Sequence, residues 1–126
     1  MQQDFAIDLA SDGSLRAEDG TALEPAPAWT PEHLLLAGLV RCSLESLRFH
    51  AKRAGIEVTT AEGSANAHVA KREGDGRYAV VEANVTLAVQ LVPMPDDASE
   101  LLAKAERDCF VGASLTAKPV YRWTVS

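Results

Sequence analysis

Thr30-Pro31-Glu32-His33-Leu34-Leu35-Leu36-Ala37-Gly38-Leu39-Val40-Arg41-Cys42 opens the helix around which the rest of the chain is organised. Thr30 suits the N-cap, Pro31 the first turn, and Glu32 the positive end of the helix dipole. The pattern runs to Ala54, with Lys52 and Arg53 in the last turn and Gly55 suited to the C-terminal stop. Leu34 to Val40 is apolar on every face, which predicts burial on all sides. A domain this small rarely encloses a helix completely, so a partner subunit is expected to cover part of it. Gly38 costs about 1 kcal/mol relative to alanine inside a helix, and its presence fits close approach by another backbone.

Short strands are expected before this helix and long ones after it. Phe5, Ile7 and Leu9 alternate with polar neighbours over Asp4 to Leu9, which predicts a strand. Leu15 to Ala17 and Thr21 to Leu23 follow as further short strands, each after a turn signal. Glu24 to Trp29 holds two prolines and reads as a loop. Beyond the helix, residues 56–72 form a strand and Glu73-Gly74-Asp75-Gly76 a hairpin turn. Ala79, Val81, Ala83, Val85, Leu87, Val89 and Leu91 then line one face of a long strand, which Pro93 and Pro95 end. A second helix runs from Asp96 or Ser99 to about Asp108, a short third covers Val111 to Ala117, and Pro119 to Val125 closes as a strand. The order predicts a single α+β domain over residues 1–126.

Composition narrows the function. The chain has 126 residues, 47% of them hydrophobic, enough for one main core. Its net charge of -6 offers no basic field for a phosphate backbone, which argues against nucleic acid. The longest apolar run, Leu34 to Val40, is too short to span a bilayer. The N-terminus carries no secretory pattern, so a cytoplasmic protein is expected.

Two cysteines, Cys42 and Cys109, are neither a disulfide framework nor a zinc pattern, and His33, His50 and His68 are scattered. Read by themselves, they are either ordinary buried thiols or a reactive pair brought together by the fold. His50 is two turns beyond Cys42, about 12 Å along one helix, and too far to contact it directly.

The Pro31-Glu32-His33-Leu34 to Cys42 segment resembles the Pro-Glu-(x)-Leu-…-Cys helix of the OsmC/Ohr family of osmotically inducible and organic hydroperoxide resistance proteins. Ala105-Glu106-Arg107-Asp108-Cys109-Phe110-Val111 resembles the family's second cysteine segment, Ala-(x)3-Cys-Pro-Val, with Phe110 in the place of the proline. Order and spacing fit from roughly Trp29 to Val125. The resemblance implies antiparallel sheets packed around a long central helix in an intertwined homodimer. It also implies thiol-dependent reduction of small organic hydroperoxides, with Cys42 peroxidatic and Cys109 resolving through a Cys42–Cys109 disulfide. No cofactor is bound in such a scheme; an external dithiol, of lipoyl type by the resemblance, restores the thiols. Glu32 matches the family's glutamate. The family also uses an arginine from the N-terminal strands, and Arg16 is the one arginine that precedes the helix.

The chemistry needs a thiolate at Cys42, and a nearby cation would lower its pKa. Arg41 points about 100° away on the helix, and Glu45 at i+3 works against ionisation. The activating arginine must come from elsewhere. Glu32 precedes Cys42 by ten residues, about 15 Å along a continuous helix. It is therefore expected to serve the Cys42 of the other subunit across a twofold interface. Two other functions remain open: a non-catalytic dimer that binds a small apolar ligand or senses redox state, and an inert structural dimer.

Overall fold

The structure is a computed structural model and describes residues 2–126. It resolves into two compact units, one ending at His33 and one running from Leu34 to Ser126. Among the described residues, no helix is long and apolar enough to cross a membrane.

In the N-terminal unit, β1 (Ile7–Leu9), β2 (Leu15–Ala17) and β3 (Ala22–Leu23) form an antiparallel sheet in that order. Each turn has an aspartate that accepts from the backbone two residues on. Asp12 takes the Ser14 N–H at 2.9 Å, and Asp19 takes the Thr21 N–H at 2.8 Å. Gly13 and Gly20 supply the left-handed residue each turn requires, with φ of 89° and 88°. β1 is shorter than the Asp4 to Leu9 expected because β2 has only three residues to pair with it. Phe5, Ile7, Leu9 and Leu23 are exposed.

The long helix α1 (Pro31–Arg53) ends as its sequence predicts and begins with one addition. Thr30 Oγ1 accepts the His33 N–H at 3.3 Å, and His33 Nδ1 accepts the Thr30 N–H at 3.3 Å. This is a capping box with an imidazole in place of the usual carboxylate or amide. At the other end, Ile56 N–H reaches Ala51 O and Gly55 N–H reaches Lys52 O, with Gly55 at φ 74°. That pair of bonds is a Schellman stop.

The larger unit is a helix-on-sheet layer. β4 (Glu57–Lys71) and β5 (Tyr78–Val92) form a long antiparallel hairpin, and β6 (Val120–Val125) lies along β5. β6 runs parallel to β5, so this sheet is mixed, a correction to the antiparallel expectation. The reason is the connection: α2 (Ser99–Arg107) and α3 (Phe110–Ser114) carry the chain back to the end where β5 began. Leu39, Ser43, Leu47 and Ala51 form one buried i, i+4 ridge of α1. The ridge packs on the alternating face of β5, where Ala83, Val85, Leu87, Val89 and Leu91 are buried. Leu101 and Ala105 of α2 close one end of this core and Cys109 the other. Gly63 lets the hairpin strands meet, because a Cβ there would lie 2.5 Å from Thr86 O and 2.6 Å from a Leu87 methyl. One chain buries only Leu39 of the apolar run Leu34 to Val40 and leaves the rest half-covered.

Candidate active site

The larger unit brings Cys42 and Cys109 together. Cys42 lies midway along α1, and Cys109 is the N-cap of α3 at the corner where α2 ends. Both thiols are free, both pack into one apolar cluster, and each lies close enough to shift the ionisation of the other. They belong to the same apolar cluster as Leu39, Val85 and Leu87. Cys109 is fully buried and Cys42 half-buried, so only Cys42 is open to an incoming molecule.

The two sulfurs have different surroundings. Burial pushes the Cys42 thiol up; the Val111 and Phe110 amides pull it back, and negative charge on Cys109 adds to the rise. Burial also opposes ionisation of Cys109, but hydrogen bonds from Ser43, the Gly112 amide, Tyr121 and Cys42 outweigh it and hold that thiol below its ordinary value. The Gly112 N–H lies 3.4 Å and Ser43 Oγ 3.5 Å from the Cys109 sulfur. The surroundings therefore favour ionisation at Cys109 over ionisation at Cys42. Arg41, the cation nearest Cys42 in sequence, is exposed and 3.8 Å from Glu45.

Ser46 lies one turn beyond Cys42. Its hydroxyl is buried and, among the described residues, has no hydrogen-bond partner. It is a free polar group on the same helix face as the half-exposed sulfur.

Of the other residues expected at the site, Glu32 is exposed in the first turn of α1. Arg16 is exposed on β2, where Nη1 donates to Gly20 O at 3.2 Å. Both belong to the N-terminal unit. His50 pairs with Asp108 at 2.7 Å rather than with a cysteine. Asp108 is the C-cap of α2, and the Arg107 guanidinium, with His50 second among its attractive partners, holds its carboxyl down at about 2.

Sequence reasoning missed Ser43 and Tyr121. Ser43 carried one weak signal, a hydroxyl directly after Cys42 in an otherwise apolar stretch. Tyr121 carried none, because only the crossover that sets β6 beside β5 brings it to the cysteines. A groove of about 650 Å³ is lined by Leu102, Glu106, Gly112, Lys118, Tyr121 and Trp123 among others, but by neither cysteine.

Two thiols in contact at the end of an α+β helix-on-sheet core, one half-open and one buried, define a dithiol protein. The chain belongs to the OsmC-like family, whose model, described as OsmC-like protein, matches residues 22–124. Solved structures with the same fold include an OsmC-like protein of unknown function from Vibrio cholerae. It has 12% identity and a TM-score of 0.77, over 97% of this chain and 99% of its own. The organic hydroperoxide resistance protein of Bacillus subtilis has 22% identity and a TM-score of 0.57, over 100% and 98%. An organic hydroperoxide resistance protein from Legionella pneumophila has 18% identity and a TM-score of 0.60, over 100% and 97%. The comparison with curated proteins gave no match.

Proposed function

We propose that the chain is a dithiol peroxidase that reduces small organic hydroperoxides. The observation that carries this reading is the contact between a half-open Cys42 and a buried Cys109 inside an apolar cluster. The names of the Bacillus subtilis and Legionella pneumophila proteins agree with it. The Cys42 thiolate attacks the outer peroxide oxygen, the O–O bond breaks, and the alkoxide takes a proton to leave as an alcohol. Cys42 is left as a sulfenic acid. The Cys109 sulfur attacks it, water leaves, and a Cys42–Cys109 disulfide forms. An external dithiol, of lipoyl type by family resemblance, reduces that bond.

A cation is required because the proton otherwise stays on Cys42. Arg16 is our candidate for that cation. Glu32, supplied by a second copy of the chain, is the candidate carboxylate that orients it. A homodimer is supported by the exposed Phe5, Ile7, Leu9 and Leu23 and by the half-covered Leu34 to Leu36 face of α1. We place the protein in the cytoplasm, where unpaired thiols stay reduced.

One observation favours a second reading, a ligand-binding family member without turnover: burial raises the Cys42 thiol. Peroxide consumption separates the two. The purified protein with a dithiol should consume tert-butyl hydroperoxide, and Cys42→Ser should abolish this. Consumption unchanged in Cys42→Ser contradicts the peroxidase reading.

A further inference from the structure

Ser43, Tyr121 and Gly112 converge around the Cys109 sulfur. Ser43 Oγ lies 2.8 Å from Leu39 O, 3.2 Å from the Tyr121 hydroxyl and 3.5 Å from the sulfur. The Gly112 N–H points at the same sulfur from 3.4 Å, and the Tyr121 hydroxyl, held by Ser43, stands near enough to help keep the Cys109 thiol below its ordinary value. The fit is close: a Cβ on Gly112 would stand 3.1 Å from the Tyr121 hydroxyl and 3.4 Å from Cys109 Sγ. Burial pushes the Tyr121 phenol far above its ordinary value, so it stays protonated and able to donate. Ser43 has one hydrogen; turning it from the Leu39 carbonyl towards the sulfur adds another donor when Cys109 carries charge. The Cys42 sulfur is approached instead by the Val111 and Phe110 amides, and it is the half-open one.

We propose that Ser43 and Tyr121 are catalytic residues of the reductive half-reaction, forming a hydroxyl cup that makes Cys109 the leaving sulfur and directs an external thiol to Cys42. The inference rests on the Cys42–Cys109 disulfide of the dithiol reading. A reductant thiolate attacks Cys42 Sγ, and a new S–S bond forms between reductant and Cys42. The Cys42–Cys109 bond breaks, and its electron pair passes to Cys109 Sγ, where Tyr121, Ser43 and the Gly112 N–H receive it. The second thiolate of the dithiol then attacks the reductant's own sulfur. Cys42 is released as a thiolate and takes a proton from solvent. The sulfur attacked is the accessible one and the sulfur expelled is the better leaving group, the two conditions that govern exchange.

The test needs no peroxide. The protein is oxidised with diamide to an intramolecular disulfide, exposed briefly to 2-mercaptoethanol, quenched with N-ethylmaleimide and peptide-mapped. The mercaptoethanol adduct is expected on Cys42 and the maleimide on Cys109. Tyr121→Phe keeps the ring that stacks on Trp123 at 6.0 Å and 9°, and Ser43→Ala is a second, independent variant. Each should slow disulfide reduction about three- to tenfold, the Brønsted consequence of losing one charge-assisted hydrogen bond to the leaving sulfur. Each should also raise the pH at which the Cys109 thiolate absorbance appears, which a purely structural role would leave unmoved. An adduct chiefly on Cys109, or wild-type reduction rates in both variants, overturns the inference and leaves the dithiol reading standing. Failure of diamide to form the disulfide overturns both.

Discussion

His50 Nε2 lies 2.7 Å from Asp108 Oδ2, tying α1 to the C-cap of α2 one residue before Cys109. Cys42 is two turns back along α1, so the two cysteines hang from opposite sides of one short strut. Arg107 grips the same carboxylate through Nε at 2.9 Å and Nη2 at 2.8 Å, which fixes its orientation.

The strut gives a pH prediction. Asp108 is held at about 2 against an ordinary 3.8, chiefly by Arg107 and then by His50. A carboxyl depressed on folding contributes stability above its unfolded pKa, and that contribution is lost as pH falls through the folded value. Asp108→Asn should therefore lower the urea midpoint at neutral pH. The gap from the wild type should close as pH falls from 3.8 towards 2. A gap that is constant or widens below pH 3.8 contradicts the assignment.

Ser46 should separate stability from function. Its buried hydroxyl has no partner among the described residues, so Ser46→Ala removes an unsatisfied polar group and should raise stability by about 1 kcal/mol. If the hydroxyl receives a peroxide oxygen beside Cys42, the same variant should show a higher KM for tert-butyl hydroperoxide. Urea titration and steady-state kinetics on one preparation check both; a destabilised variant contradicts the first.

Gly63 tests the hairpin. A methyl group there would meet the Thr86 carbonyl oxygen at 2.5 Å, and backbone cannot step aside as a flexible side chain can. Gly63→Ala should cost about 1–3 kcal/mol, the range for overpacking. An unchanged thermal midpoint would show that β4 and β5 are further apart than described.

Arg16 tests the cation requirement. Arg16→Gln should lower kcat/KM for the hydroperoxide at least about a hundredfold, the size of effect expected on losing a charge stabiliser at a reacting centre. Disulfide formation with diamide should persist, because the Cys42–Cys109 contact lies wholly within Leu34–Ser126. Full peroxidase activity in the variant would require a different cation.

Much of the fold was legible because local chemistry and periodicity agree. Thr30 and Gly55 bound α1, and the odd-numbered residues from Ala83 to Leu91 became the buried face of β5. The parallel pairing of β6 was not legible, because strand direction depends on where α2 and α3 return the chain, which no local pattern encodes. His33 is exposed and also half of a capping box, a role not legible because an imidazole at that position is outside the usual signature. At the site, the cysteines by themselves were open to either reading, and it was the two segments around Cys42 and Cys109, taken together, that singled them out. Ser43 and Tyr121 could not be singled out, since Tyr121 is 78 residues from Ser43 in the chain and meets it only through the fold.

The most direct measurement is the thiol state after one equivalent of organic hydroperoxide. The reduced protein is mixed with tert-butyl hydroperoxide, quenched within seconds and mapped by mass spectrometry. A Cys42–Cys109 disulfide in the wild type, a dimedone-reactive Cys42 in Cys109→Ser, and no oxidation in Cys42→Ser are the predicted result. Two intact thiols in the wild type, or oxidation of Cys109 in the Cys42→Ser variant, would contradict the account.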